Sequence, residues 1–142
     1  MFKTLLLAVD INDPEGARPS TEAAISMARN EDATLHILNV VPDDGMAIVS
    51  AALSPDHAAD AVASSGNALK DWAETNIPDA IQSELHIARG TIYDQIIRTA
   101  NALDVDCVLV GAHSPTLKDY LIGPNAARVA RHASQSVFVI RQ

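Results

Sequence analysis

Short apolar runs alternate along this chain with segments of helix length, and this alternation constrains the fold more than any other feature of the sequence. Apolar runs of about four to eight residues are typical of strands that are buried on both faces. Strands that alternate with helices favour a parallel sheet, because parallel neighbours need a long crossover connection. We therefore predict an α/β fold, a single-domain three-layer α/β/α sandwich. The predicted strands are Thr4–Val9, Thr34–Val41, a weaker run at Leu85–Ala88, Cys107–Val110 and Val137–Ile140.

Helix signals occupy the segments between these strands. Thr91 and Asp94 have the spacing of a capping box at the start of an amphipathic segment. Ser54 followed by Pro55 predicts the start of a long helix that ends before Pro78. The other predictions are helices at residues 92–103, about 20–29 and about 124–133, and a long connection at residues 42–53 near the carboxyl ends of the strands.

The composition favours one compact domain over residues 1–142. A chain of 142 residues that is 48% hydrophobic can bury roughly two thirds of its unfolded surface in one core. The net charge of −8, with lysine and arginine scattered, argues against general attraction to nucleic acid or to an anionic membrane. The apolar run at the N-terminus is too short for a secretory signal or a membrane span, so we expect a cytoplasmic protein.

Cysteine and histidine positions do not indicate metal or redox chemistry. Cys107 is the only cysteine and lies in an apolar strand, which favours a buried, unreactive thiol over a redox role. The histidines lack metal-ligand spacing with one another and with this cysteine, so the sequence predicts no zinc site. The histidines compared are His36, His57, His86 and His132.

Three of the predicted strands end in residues that would suit a nucleotide. Ligands of open α/β sheets bind beyond the carboxyl ends of the strands, where the connections diverge. Apolar Ala8, Val9 and Val40 would suit the faces and edges of a base. Gly111 after the fourth strand and Gly123 before the last helix would let phosphates approach backbone amides. The alternative is that both glycines simply allow tight turns.

Two polar loop residues have two interpretations each. Asp10 could hydrogen-bond a ribose or a base, or position Mg²⁺ through water, or it could cap the loop that follows the first strand. His113 could donate to a phosphate, or it could make an ordinary backbone contact.

Motifs of several other α/β proteins do not occur in the sequence. Neither Gly-Lys-Ser nor Gly-Lys-Thr is found, so there is no P-loop. No Gly-x-Gly-x-x-Gly follows the first strand, and Gly90 occupies the place where a receiver domain needs its acceptor aspartate. No Gly-x-Ser-x-Gly elbow and no Ser, His and acid set is evident. An enzyme is therefore the weaker functional class.

Together these features resemble the universal stress protein family. The resemblance is carried by a first strand ending in Val9-Asp10, a second ending in Asn39-Val40-Val41, Gly90 after the third, and the tail from Gly111 to Arg141. It implies a five-stranded parallel sheet of order 3-2-1-4-5 and a protein that is frequently dimeric. The family has a branch that binds ATP and a branch that does not.

The glycine signature of the ATP-binding branch is altered here. That signature is Gly, two residues, Gly, nine residues, then Gly followed by Ser or Thr. Ser114 stands at the second glycine, eight residues intervene before Gly123, and Pro124 follows. This shortened loop resembles a subgroup of which some members bind ATP. Pro124 removes a hydroxyl and a backbone N–H from the phosphate end, so we predict weakened nucleotide binding.

The resemblance implies a residue-by-residue placement of ATP or another adenine nucleotide, with or without Mg²⁺. The adenine would lie near Ala8, Val9 and Val40, the ribose and metal side near Asp10, and the phosphates near Gly111, His113, Ser114, Gly123 and Asn125, with Pro124 lining the site.

Assembly and function follow from the last strand and from this site. An apolar edge strand tends to pair with another strand, so we predict a homodimer through the C-terminal strand, with Val137, Phe138 and Val139 near the axis. The alternative is a monomer whose edge Arg141 protects.

The leading hypothesis for function is a ligand-sensitive regulatory or interaction module that binds adenine nucleotides and, in addition, a protein partner. The alternatives are an interaction protein of the same fold that does not bind ATP, and a slow metal-dependent ATPase or phosphotransferase that relies on Asp10.

Overall fold

Five strands and four helices alternate in the computed structural model, which describes residues 1–42, 55–112 and 123–141. The five predicted strands are confirmed, and the weakest of them, β3, is longer than predicted. Of the connection predicted at residues 42–53, Pro42 belongs to β2, and residues 43–53 lie outside the described residues, as does the predicted N-cap Ser54. The elements are β1 (Thr4–Val9), α1 (Pro14–Glu31), β2 (Thr34–Pro42), α2 (Pro55–Asn76), β3 (Ser83–Gly90), α3 (Ile92–Ala102), β4 (Cys107–Gly111), α4 (Pro124–His132) and β5 (Ser136–Ile140).

All five strands form one parallel sheet in the order β3-β2-β1-β4-β5. This is the order that the family resemblance implies. In the centre of the sheet, Leu6 of β1 is paired with His36 of β2 and with Val108 of β4. The register places alternate residues of neighbouring strands on a common face.

Each face of the sheet packs against a pair of helices, which makes three layers. Leu5, Leu7 and Leu109 are fully buried on the face that α1 and α2 cover. Leu6 and Val108 are fully buried on the opposite face, beneath α3 and α4. Because the central strands are apolar on both sides, the sheet has a core on each face, as the continuous apolar runs predict. None of the described helices is long and apolar enough to cross a membrane.

The first helix begins earlier than the sequence predicts. α1 starts at Pro14, not near residue 20, because Asp13 is its N-cap and accepts a hydrogen bond from the Gly16 amide at 3.1 Å. Proline is well suited to the first helical position. Pro19 lies inside the helix, where proline normally interrupts the hydrogen-bond pattern, and it obscured the helical period ahead of it.

The predicted capping box of α3 is wrong, although the position of the helix is right. Thr91 is the N-cap, but its side chain does not make the capping hydrogen bond. The Asp94 carboxylate instead accepts from Nε of Arg98 at 2.7 Å, one turn further along the helix. Gly90, at the end of β3, has a φ of 144°, which only glycine adopts readily, and this allows the turn into the helix.

Candidate functional site

A cavity of about 400 Å³ opens at the carboxyl ends of the central strands. The chain leaves β1 toward α1 on one face of the sheet, whereas α4, which follows β4 in the fold, covers the other face. Such a divergence opens a crevice between neighbouring strands, where open α/β sheets bind ligands. The volume lies within the range of small-molecule sites.

The floor of the cavity is apolar. Ala8 and Val40 contribute small side chains from neighbouring strands, and the fully buried Leu38 lies beneath them. Ile92 and Ile96 close the side that α3 forms. A floor without polar side chains suits the flat face of an aromatic heterocycle better than a charged group.

The turn between β1 and α1 forms a polar wall of the cavity. Asp10 is exposed, its Oδ1 accepts from the Asn12 amide at 2.9 Å, and its carbonyl accepts from the Asp13 amide at 3.0 Å. The turn is anchored to β2, because Oδ1 of the buried Asn39 accepts from the Ile11 amide at 3.1 Å. Asp10 therefore does cap its loop, as one of its two interpretations requires, and its carboxylate also lines the cavity.

The opposite wall consists of backbone with little side chain. Gly111 ends β4 close to α1, and a Cβ placed there would lie 3.7 Å from Oγ of Ser20. Gly123 is the N-cap of α4, with Pro124 at the first helical position. The amide of Asn125 has no role in the hydrogen-bond ladder of its own helix, because the first N–H groups of a helix lack intrahelical acceptors. This wall presents the positive end of a helix dipole to the cavity.

The charge of the lining is unusual for a pocket that would take an anion. Within residues 1–42, 55–112 and 123–141, Asp10 and Asp13 are its charged side chains, and no lysine or arginine contributes. An anionic ligand would therefore depend on backbone amides, on the helix terminus or on a cation beside the carboxylates.

The structure brings most of the predicted site residues to this one cavity. They are Ala8, Val9, Asp10, Val40, Gly111, Gly123, Pro124 and Asn125. Predicted residues His113 and Ser114 lie outside the described residues. Sequence reasoning missed the contribution of Asn12, Asp13 and Gly16. The pair Asp13-Pro14, an N-cap residue followed by proline, is the signal that would have found them.

The comparisons with known proteins agree over the whole chain. The model of the universal stress protein family matches residues 1–141. Universal stress protein G of Salmonella typhimurium is 29% identical over 149 residues, covering 99% of this chain and 100% of that protein. Universal stress protein G of Escherichia coli O157:H7 gives the same identity and coverage.

Two solved structures have the same fold. The hypothetical protein MJ0577 has a TM-score of 0.84 at 18% identity, covering 100% of this chain and 97% of that chain. A universal stress protein in complex with cAMP has a TM-score of 0.62 at 21% identity, covering 99% of this chain and 97% of that chain.

Proposed function

Because this chain belongs to the universal stress protein family, whose model matches residues 1–141, we propose that it binds an adenine nucleotide and acts as a ligand-sensitive regulatory or interaction module. The observation that carries the proposal is the cavity between β1 and β4, which combines an apolar floor with a wall of backbone amides. A universal stress protein in complex with cAMP supports the adenine part of the proposal.

The nucleotide would lie across the cavity with its base on the apolar floor. Ala8, Val9 and Val40 would contact the adenine, and Asp10 would face the ribose. The phosphates would then reach Gly111 and the start of α4, with Asn125 as the first residue of that helix able to donate an unpaired amide. We propose that His113 and Ser114 also contact the phosphates.

A Mg²⁺ ion fits this arrangement on chemical grounds. The described lining supplies carboxylates and no basic side chain, so a hard cation beside Asp10 would offset repulsion between the carboxylate and the phosphates. A bound magnesium ion would supply charge neutralisation. Because the described lining offers Asp10 and Asp13 but no histidine or lysine as a base, we favour binding over turnover.

The experiment is isothermal titration calorimetry of nucleotide-stripped protein with Mg-ATP, ADP, AMP and cAMP. Val40→Glu would place a carboxylate on the cavity floor, and we expect it to abolish binding. Val41→Glu is the matched control, because the next residue of a strand faces the other side of the sheet. No heat with any of the four nucleotides up to millimolar concentration, or equal loss in both variants, would contradict the proposal.

Pro124 provides a test of the phosphate end. Replacing it with serine restores one amide and one hydroxyl at the first position of α4. A hydrogen bond to a charged group contributes about 1.5–3 kcal/mol, so Pro124→Ser should tighten ATP binding by about tenfold or more. AMP, with its shorter phosphate chain, is the control ligand and should gain less.

The second candidate is a homodimeric interaction protein of the same fold that does not bind ATP, and the proline after Gly123 favours it. We propose dimerisation through β5, the edge strand, with Val137, Phe138 and Val139 near the axis. Phe138 is 37% exposed and makes an edge-on ring contact with Phe2, with centroids 5.8 Å apart. Light scattering at micromolar concentration should give twice the mass of one chain; the mass of a single chain would contradict the dimer.

A slow metal-dependent ATPase would need product formation that is lost in Asp10→Ala, and an unchanged rate in that variant would remove this alternative. We also propose that residues 1–142 form one domain and that the protein is cytoplasmic. Fractionation of the source cells would test the location.

A further inference from the structure

Three side chains with metal-binding atoms lie together on two neighbouring strands, away from the cavity. Within the described residues, one ligand atom each from His36 of β2 and from Glu84 and His86 of β3 lie within 4.8 Å of one another. In the register of the sheet, His36 is paired with Glu84, and Leu38 is paired with His86. All three side chains therefore lie on the face covered by α3 and α4.

This histidine–glutamate cluster, His36, Glu84 and His86, is separate from the nucleotide cavity. None of its residues belongs to the described lining of that cavity. Leu38, which is fully buried, follows His36 on the same face of β2 and lies between the cluster and Val40 on the cavity floor. The cluster consequently needs an explanation that the proposed nucleotide site does not supply.

Two distances within the cluster are close to those of a metal site. Nδ1 of His36 is 2.9 Å from Nε2 of His86 and 3.3 Å from Oε2 of Glu84. Nitrogen and oxygen ligands lie about 2.0–2.2 Å from Zn²⁺ in tetrahedral geometry, which places them roughly 3.3–3.5 Å from one another. The spacing of His36 and Glu84 already fits, and the two rings would have to separate by a few tenths of an ångström. The ligand atoms of Glu84 and His86 lie within 4.8 Å of each other, so the exposed carboxylate would have to move toward His86 as the ion binds.

The exposure of the cluster also suits a cation. His36 is buried, whereas the Glu84 side chain is 58% exposed, so an ion would reach the cluster from the side of the carboxylate.

We propose that His36, Glu84 and His86 bind one Zn²⁺ ion, with solvent at the remaining position. Two imidazoles and one carboxylate are a ligand set for zinc and similar first-row ions and not for Ca²⁺ or Mg²⁺, which prefer oxygen ligands. Since β3 is the edge strand opposite β5, the ion would cross-link this edge to β2 and stabilise it.

The test uses the full chain after treatment with a chelator and removal of the chelator. Titration with ZnCl₂ in a calorimeter should show one ion per chain, and zinc should raise the melting temperature. Glu84→Gln and His86→Asn should each weaken binding by at least about tenfold, the lower range of the effect of losing even an outer-shell partner. His132→Asn is the matched control, because His132 is an exposed histidine on α4, outside the cluster.

A rescue variant separates ligation from a structural role. Glu84→His would replace the carboxylate with a third imidazole, a ligand set that also binds zinc, so affinity should return relative to Glu84→Gln. Co²⁺ provides a spectroscopic signature, because a tetrahedral site gives intense visible absorption that should vanish in His86→Asn. Zinc affinity that is absent in the wild type, or unchanged in both Glu84→Gln and His86→Asn, would overturn the proposal and leave the two rings as a hydrogen-bonded pair.

Discussion

The carboxyl and amino ends of the sheet differ in how they would recognise a ligand. The carboxyl end holds a cavity of about 400 Å³, where small side chains and backbone form the walls. Toward the amino end, the histidine–glutamate cluster brings the Nδ1 of His36 within 2.9 Å of the Nε2 of His86. The first arrangement depends on where the chain connections diverge, and the second depends on which side chains the strand register places together.

This difference explains why the two regions would select different chemistry. Backbone amides and a helix N-terminus can recognise anions without the help of basic side chains. The described lining of the cavity contains no basic side chain. The cluster offers imidazole nitrogens beside a carboxylate, which suit a borderline metal ion. Along β2, the fully buried Leu38 would separate the two proposed sites.

Leu38→Ala tests how strongly the two ends depend on the layer between them, and it should have the largest effect. Leu38 is 1% exposed, and truncating such a leucine removes buried apolar area and leaves a void. We expect the free energy of unfolding to fall by about 2–5 kcal/mol. Urea unfolding measures the change. Leu85→Ala is the control, because Leu85 is 37% exposed on β3 and should change stability by about 0.5 kcal/mol or less. Equal losses in the two variants would contradict this account.

Cys107 tests whether the amino end of the sheet is closed to solvent. Burial raises the pKa of the Cys107 thiol to about 11 from 9.0, although a backbone hydrogen bond from Phe138 acts in the opposite direction. Two pKa units correspond to about 100-fold less thiolate below pH 9, so Ellman's reagent should react at least about 100-fold more slowly with folded than with unfolded protein. Reaction of the folded protein at the rate of a free thiol would show that this end is open.

The same shift predicts a pH dependence of stability. The unfolded thiol loses its proton near 9.0, whereas the folded thiol keeps it until about 11. The folded state therefore binds more protons between these values, so this contribution to stability is complete below 9.0 and is lost as the pH rises through about 11. Urea midpoints measured from neutral to alkaline pH should fall, and Cys107→Ser should show a smaller fall.

The fold was predictable because its signals are local. The continuous apolar runs of β1, β2 and β4 predict strands buried on both faces, and the structure confirms them. The start of α1 was not predictable in the same way. Pro19 interrupts the helical pattern, whereas the Asp13 cap that starts the helix lies ahead of this proline. A capping sequence makes a capping hydrogen bond possible but does not ensure that it forms. Thr91 is the N-cap of α3, yet its side chain does not make that bond.

The two sites differed in predictability for the same reason. Glycines at strand and helix ends are visible in the sequence, so residues such as Gly111 and Gly123 were assigned to the carboxyl end, and the structure places them on one cavity. His36 and His86 are separated by fifty positions, and only the pairing of β2 with β3 brings their rings together. A site built from side chains of two strands cannot be read from spacing until the register is known.

Asn39 provides the smallest of the predicted effects and sharpens the account of the carboxyl end. Its Oδ1 is the acceptor that holds the Ile11 amide, and with it the turn that carries Asp10 against the cavity. Asn39→Ala would leave that amide without its buried acceptor, so we expect a loss of about 1–3 kcal/mol in unfolding free energy and weaker nucleotide binding. Asn76→Ala is the matched control, because Asn76 donates to the Trp72 carbonyl at an exposed helix end. Weaker binding with unchanged stability would mean that Asn39 contacts the ligand itself, whereas lost stability with unchanged binding would mean that the cavity does not depend on this turn.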